Sequence, residues 1–255
     1  MITIKTADEI ALMADAGSLL HQVLQHLKTL VKPGVTTAYI DSVAEQMIRD
    51  NGAIPSFKGY GGFPASICAS VDDSVVHGFP DDKPLAEGSI LSIDCGLILK
   101  GWQSDSALTV PVGEVSKEKQ KLIRVTEECF WLGANMAREG NRLGDIGHAV
   151  QEHAEKYGYG VIRDMTGHGI GREMHEDPSV PNYGHAGKGV RLRKGMVLAI
   201  EPMIAAGGWQ VYINDWICRT RDHSPCSHYE HTVAITDGEP LVLSCPGADV
   251  RRYLK

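Results

Sequence analysis

No apolar run in this sequence reaches the roughly 18–20 residues that a membrane-crossing helix needs. The opening Met1-Ile-Thr-Ile-Lys-Thr-Ala-Asp-Glu9 also lacks a signal peptide's apolar stretch, so a cytoplasmic home is expected. The six cysteines, Cys68, Cys95, Cys129, Cys218, Cys226 and Cys245, form no CxxC pair and no evenly spaced framework. Reduced thiols are expected, rather than a zinc knuckle or a disulfide scaffold. Cys68 and Cys95 lie beside candidate site segments, where small buried hydrophobes are the ordinary reading. A basic excess is missing too: 25 Lys and Arg stand against 32 Asp and Glu, a formal charge of −7. Nucleic-acid binders draw their affinity from cations at phosphates, so direct binding to nucleic acid or membrane is not expected. The chain has no Pro/Gly/Ser linker, no low-complexity tract and no heptad repeat. One domain over residues 1–255, working as a monomer, fits that pattern. With 43% hydrophobic content, 255 residues suffice for a large core.

What the sequence does contain is a repeat. Thr6-Ala-Asp-Glu9 reads as a capping box, and Ile10, Met13, Ala14, Gly17, Leu20 and Leu24 follow at helical spacing until Pro33-Gly34. A second helix is predicted at about Ala38–Asp50, closed by Asn51-Gly52. The stretch from Gly140 through Ile146 and Val150 to Tyr157-Gly158 matches that from Gly34 through Ile40 and Ala44 to Asn51-Gly52 at a constant offset. Ser116 to Ala137 is the counterpart of the first long helix. Strand-like runs then recur in both halves. Ile90-Leu-Ser-Ile-Asp94 follows Gly88, and Val197-Leu-Ala-Ile-Glu201 follows Gly195, which sets Asp94 opposite Glu201. Asp105, opening the run to Gly113, and Glu230, opening the run to Gly238, form a second pair. The predicted fold is α+β, with helix, helix and strands repeated about a pseudo-twofold, in halves of about 1–113 and 114–255. The four carboxylates are expected at matched ends of four strands.

Carboxylates held close together either share a proton or hold cations. Asp94 and Asp105 stand eleven positions apart with Gly96 and Gly101 between them, so a hairpin would bring them side by side. In isolation such a pair reads as surface acids flanking a turn; Glu201 and Glu230 at equivalent places weigh against that. A second cluster runs Thr166-Gly-His168-Gly-Ile-Gly171-Arg-Glu-Met-His175-Glu-Asp-Pro178. Its glycines permit close backbone approach and leave the His168 imidazole free to project. It lacks the Lys-Ser/Thr of a P-loop and the GxGxxG of a dinucleotide site. His77 follows the run Ser66–Val76, and of the remaining histidines only His231, beside Glu230, stands out as a supporting residue. Many carboxylates with one imidazole favour Mn, Fe, Co or Zn. Five such ligands suit two ions about 3.5–4 Å apart.

These motifs closely resemble the type I methionine aminopeptidases, of the pita-bread fold shared with prolidases and creatinase. The resemblance spans nearly the whole chain. It rests on Pro64-Ala-Ser-Ile-Cys68, Val75-Val-His77-Gly78, Ser92-Ile-Asp94, Ser104-Asp105-Ser106, Thr166–Gly171, His175–Pro178, Ile200-Glu201-Pro202-Met203 and Tyr229-Glu230-His231-Thr232. It implies an antiparallel sheet at the centre and two divalent metal ions per chain. Asp94 would chelate one ion, Asp105 and Glu230 would bridge both, and His168 with Glu201 would complete the other. Glu201 would shuttle the proton of the attacking water, His175 would stabilise the oxyanion, and His77 would contact the scissile amide nitrogen. Tyr60, Phe63, Cys68, His77 and Trp216 would line the methionine pocket. The implied partners are nascent polypeptide N-termini, with the ribosome a candidate docking partner. Gly61, Met174 and Phe57 depart from the residues common in the family, which bears on pocket shape alone. Gly207–Asn214 reads as a variable loop or hairpin.

Two other readings remain open at this level. An X-Pro-type peptidase of the same fold would share the metal ligands, but such relatives usually carry an extra N-terminal domain. A non-catalytic pita-bread binding protein would have lost ligands that this sequence retains.

Overall fold

The computed structural model describes residues 1–253. Its helices are α1 (Ala7–Leu30), α2 (Thr37–Asp50), α3 (Lys117–Asn135) and α4 (Leu143–Lys156). Strands β1 (Ile54–Pro55), β2 (Ile67–Val71), β3 (Ser74–Val76), β4 (Ile90–Leu99) and β5 (Trp102–Pro111) follow the first helix pair. After the second pair come β6 (Gly160–Val161), β7 (Gly167–Gly169), β8 (Glu176–Val180), β9 (Val197–Ile200) and β10 (Met203–Ala205). The chain continues through β11 (Val211–Asn214), β12 (Ile217–Thr220), β13 (Cys226–His228), β14 (Glu230–Ala234) and β15 (Leu241–Val242).

The helices start where the sequence supplies caps. Thr6 Oγ1 accepts from the Glu9 amide at 3.3 Å, and the Glu9 carboxylate accepts from the Thr6 amide at 2.9 Å. Thr36 and Ser116 cap α2 and α3 by the side-chain oxygen alone, which accepts from the Tyr39 and Lys119 amides. Met13, Gly17, Leu20, Leu24 and Leu27 of α1 form one buried stripe, which packs across β4 and β5. The second half repeats this arrangement with α3 and α4, around a core that includes Phe130, Trp131, Ile146, Leu198 and Val233.

The main sheet is antiparallel, in the order β1-β4-β5-β14-β9-β7-β8, with β2 also on β4 and β15 on β14. The pseudo-twofold therefore runs between β5 and β14, and β4 and β9 are equivalent neighbours. Connectivity differs between the halves. β4 joins β5 through the two residues Lys100 and Gly101, both at positive φ as a tight hairpin requires. β9 and β14 are also adjacent, yet the chain between them makes a long excursion through β10 to β13. The stretch Gly207–Asn214 belongs to that excursion, and β11 and β12 form a hairpin whose edge partner is β3.

Side-chain alternation then sorts the sheet into two faces. Leu91, Ile93, Cys95 and Leu97 of β4 enter the helix-covered core. Asp94 and Gly96 therefore point the other way. Asp94 pairs with Ala107 and Gly96 with Asp105, so the two acids are diagonal neighbours on one face. Glu230 pairs with Ala107 from the opposite side, and Glu201 directly follows β9 with the same alternation. Four adjacent strands thus bring one acid each to one face. They are not all at strand ends, as the sequence suggested. Asp94 and Asp105 lie within ten-residue strands, because the β4–β5 hairpin goes on pairing as far as Leu99 and Trp102.

Gly17 marks the tightest contact of α1. A Cβ built there would stand 2.3 Å from the Leu243 carbonyl oxygen, which is backbone and cannot rotate away. Gly17→Ala should therefore lower the melting temperature, by an overpacking cost of about 1–3 kcal/mol. The alanine's helix preference of about 1 kcal/mol opposes this; a raised melting temperature would mean that Leu243 can yield.

Candidate metal centre and its cavity

Asp94, Asp105, Glu201 and Glu230 converge with His168 at the floor of one cavity of ≈ 160 Å³. The same cavity is lined by Tyr60, Phe63, Cys68, His77, His175 and Trp216, so the residues expected from sequence as ligands, catalytic groups and pocket wall lie in one place. Phe57 and Met174 line it as well.

The floor is fixed from behind. Thr232 Oγ1 accepts from the Asp105 amide at 3.0 Å and donates to the Asp105 carbonyl at 2.9 Å. Ser106 Oγ donates to the Glu230 carbonyl at 2.7 Å, and Asn182 donates to the Glu201 carbonyl at 2.9 Å. Gly96 leaves room beside Asp105: a Cβ there would lie 2.9 Å from the Phe57 ring and 3.3 Å from Asp105 Oδ1. The glycines flanking His168 are steric necessities. A Cβ at Gly167 would meet the Ala199 carbonyl oxygen at 2.3 Å, and one at Gly169 would meet that of Asp177 at 2.2 Å.

Burial pushes the carboxyls of Asp94, Glu201 and Glu230 well above the usual range, and the neighbouring acids push them further. Asp105 is raised, chiefly by burial, to about 7. The imidazole of His168 is set as a ligand would be. Its Nδ1 donates to the Gly169 carbonyl at 2.9 Å, so the bare Nε2 lone pair faces the acids. Burial holds that ring's pKa down to about 4, so protonation does not relieve the lone pair. Nε2 lies 3.7 Å from Glu201 Oε1 and 3.8 Å from Asp105 Oδ2. These separations are too long for hydrogen bonds and suit donors around a shared cation. Asp94 Oδ1 and Glu230 Oε1 are buried without a hydrogen-bond partner. Lone pairs aimed at one another from five side chains fit divalent metal.

The cavity wall is apolar. Phe57, Phe63, Ala65, Cys68 and Met174 form a cluster separate from the helix-covered core, joined by Phe79 and Trp216. Phe63 meets Phe57 and Trp216 edge to face, with ring centroids 6.5 and 5.6 Å apart. Gly61 has φ 55°, and a Cβ there would lie 3.2 Å from the tip of Trp216, so this glycine makes space for the indole. Burial, then the charge of Asp94, raises the Cys68 thiol, which therefore stays protonated and serves as wall. Cys95 is a buried core residue, and all six cysteines are free. At the mouth, the Tyr60 hydroxyl lies 2.8 Å from His175 Nδ1. His77 has φ 62° and stands edge-on to Trp216.

Two histidines differ from the sequence reading. His231 points to the opposite face of β14, among Phe130, Trp131 and Tyr229. It reaches the site only through Ser106 Oγ, 2.9 Å from its Nδ1, because adjacent residues of a strand face opposite ways. His228, given no weight from sequence, faces the acids: its Nε2 lies 3.7 Å from Glu201 Oε2 and 3.9 Å from Glu230 Oε2. Its position two residues before Glu230, on the same side of the strand alternation, was the available signal.

Metal binding and pH should be linked with a definite sign. Carboxyls raised in the folded protein keep protons that the unfolded chain has released, so their contribution is lost as pH rises through the folded values, about 7 for Asp105. The buried histidines act oppositely, but only below their unfolded value of about 6.5. Metal-free protein should therefore lose thermal stability between about pH 6.5 and 8, and excess Mn(II) should abolish the loss. A melting temperature that is flat or rising over that interval without metal would contradict the cluster's electrostatics.

With this geometry in view, similarity to known proteins is specific. The profile of metallopeptidase family M24 matches residues 11–237. A methionine aminopeptidase from Clostridium acetobutylicum is 54% identical over 247 residues, covering 96% of this chain and 99% of the relative. The crystal structure of methionine aminopeptidase from Rickettsia prowazekii superposes with a TM-score of 0.95 at 41% identity, covering 96% of this chain and 100% of that one. Prolidase from Pyrococcus furiosus shares the fold, with a TM-score of 0.77 at 24% identity, over 96% of this chain and 66% of its own. This chain belongs to metallopeptidase family M24, and within it to the methionine aminopeptidases.

Proposed function

We propose that the protein removes the initiator methionine from nascent polypeptides whose second residue is small. One observation carries this reading: a cluster of four acids and His168, with Asp105, Glu230 and His168 buried and Asp94 and Glu201 half-buried, forms the floor of a cavity whose walls are aromatic, Met174 and Cys68. In this reading the floor would hold two divalent ions, of cobalt, manganese, iron or zinc. Asp94, Asp105, His168, Glu201 and Glu230 would hold them. When bound, such ions supply a Lewis acid for the scissile carbonyl and a water acidic enough to attack near neutral pH.

The chain's own residues do the rest. The free α-amine of the substrate would bind an ion held by this floor, which restricts cleavage to the first residue. Phe57, Phe63, Met174 and Trp216 enclose its unbranched apolar side chain, where each methylene gained or lost is worth about 1–3 kcal/mol of discrimination. Glu201 accepts a proton from the attacking water and returns it to the departing amine. His175 donates to the oxygen on which charge develops. The Tyr60 hydroxyl beside its Nδ1 leaves Nε2 to carry the donated proton. His77 faces the scissile amide nitrogen. The chain acts as one catalytic domain and a monomer in the cytoplasm, meeting its substrates as they leave the ribosome. No helix among the described residues is long and apolar enough to cross a membrane.

Metal-stripped protein, assayed on Met-Gly-Met-Met and on an X-Pro peptide with each ion restored, tests this reading. Metal-dependent release of free Met is expected, with X-Pro left intact. His175→Ala should bind metal normally and turn over on the order of 10²-fold more slowly. Cleavage of X-Pro alone would move the activity to the prolidase side, and no turnover with any ion would favour a non-catalytic binding protein.

A further inference from the structure

His228 is the one residue at the acid cluster for which neither fold nor family motif supplies a task. It is 1% exposed, and neither ring nitrogen has a hydrogen-bond partner. A buried imidazole left unpaired is destabilising, so its placement calls for a partner. The placement is enforced: Thr109 Oγ1 accepts from the His228 amide and donates to its carbonyl, both at 2.9 Å. Pairing of β13 with β10, His228 opposite Met203, holds it from the other side.

The ring completes a bracket around Glu201. Oε1 of that carboxylate faces His168 Nε2 at 3.7 Å, and Oε2 faces His228 Nε2 at 3.7 Å. Glu230 Oε2 lies 3.9 Å from the same His228 nitrogen. The two imidazoles are not equivalent. His168 spends its Nδ1 proton on the Gly169 carbonyl and presents a lone pair. His228 Nδ1 has no acceptor, which leaves the proton free to reside on Nε2, facing two carboxylates. A separation of 3.7 Å is longer than a direct hydrogen bond and shorter than the roughly 4.5 Å that a bridging water spans, so the Nε2–H faces the two carboxylates directly and a small side-chain rotation closes either contact.

We propose that His228 is a positioning residue for Glu201 and Glu230: its Nε2–H, facing both carboxylates, fixes their orientation toward the cations. The inference rests on the metal-binding reading above, and it assigns His228 as a donor, distinct from the ligand His168.

Glutamine can present an amide N–H close to the imidazole Nε2 position but is a weak ligand for these ions, while leucine fills the space with no donor. The experiment compares His228→Gln and His228→Leu with wild type, by calorimetric titration of metal-free protein with Mn(II) and by kcat and KM on Met-Gly-Met-Met. His228→Gln should stay within about threefold of wild type in every quantity, whereas His228→Leu should lose about 10–100-fold in Mn(II) affinity, or in kcat with KM unchanged. Wild-type behaviour of His228→Leu would make the residue a mere filler, and Mn(II) affinity lost equally in both variants would make it a ligand. Either result overturns the proposal. Should His228→Leu not fold, nitrogen NMR of histidine-labelled, metal-free wild type decides instead: a proton on Nε2 is expected, and one on Nδ1 refutes the donor role. The titration reads the inference even if no peptide is cleaved, so a failure of the proposed activity remains distinguishable.

Discussion

Four carboxylates on one face of four adjacent strands repel one another where water cannot screen them. That is the constraint around which the rest of this molecule is built. All four carboxyls hold their protons more tightly than free acids in the metal-free protein, through burial and, at Asp94, Glu201 and Glu230, through the neighbouring acids as well. The cluster therefore persists only because the backbone beneath it is held independently of the side chains. Thr232 and Ser106 lace β5 to β14, Asn182 holds the carbonyl of Glu201, and the helix-covered core supplies the stability that the acids cannot. Such a site is preorganised for cations rather than assembled by them.

Symmetry and its breach divide the labour. The pseudo-twofold between β5 and β14 generates the four acids, one from each strand of two equivalent pairs. The breach generates specificity. In the first half β4 turns directly into β5, but in the second the chain leaves the sheet after Glu201 and returns at Glu230. That excursion carries Trp216, which meets Phe63 and His77 across the cavity, and then His228, which faces the acids. The first half contributes the opposite wall from the segment between α2 and β4. Neither half alone forms the cavity.

Much of this was legible in the sequence because the signals were local and repeated. Thr6 fixed a helix start through capping chemistry, the repeat placed the helix that begins at Ser116, and the matched Gly88 and Gly195 aligned Asp94 with Glu201. His168 stood out because glycines around a histidine have a steric reason, here the carbonyls of Ala199 and Asp177. Other features were not legible for equally physical reasons. The apolar walls at Phe57, Phe63, Met174 and Trp216 are far apart in sequence, and nothing local separates a cavity wall from core; only resemblance to a family pointed to them. Strand length beyond Asp94 depends on pairing with β5, a tertiary property, so the acids were expected at strand ends. The neighbours His228 and His231 were misjudged because adjacency to Glu230 suggested support. Strand alternation instead turns His231 toward Phe130 and Trp131 and leaves His228 beside the carboxylates.

The central claim is that these five side chains hold a pair of cations, and diffraction tests it most directly. Crystals grown with Mn(II) and measured at the manganese absorption edge should give two anomalous peaks about 3.5–4 Å apart, enclosed by Asp94, Asp105, His168, Glu201 and Glu230. A single peak at saturating Mn(II), or peaks lying outside that enclosure, would contradict the account.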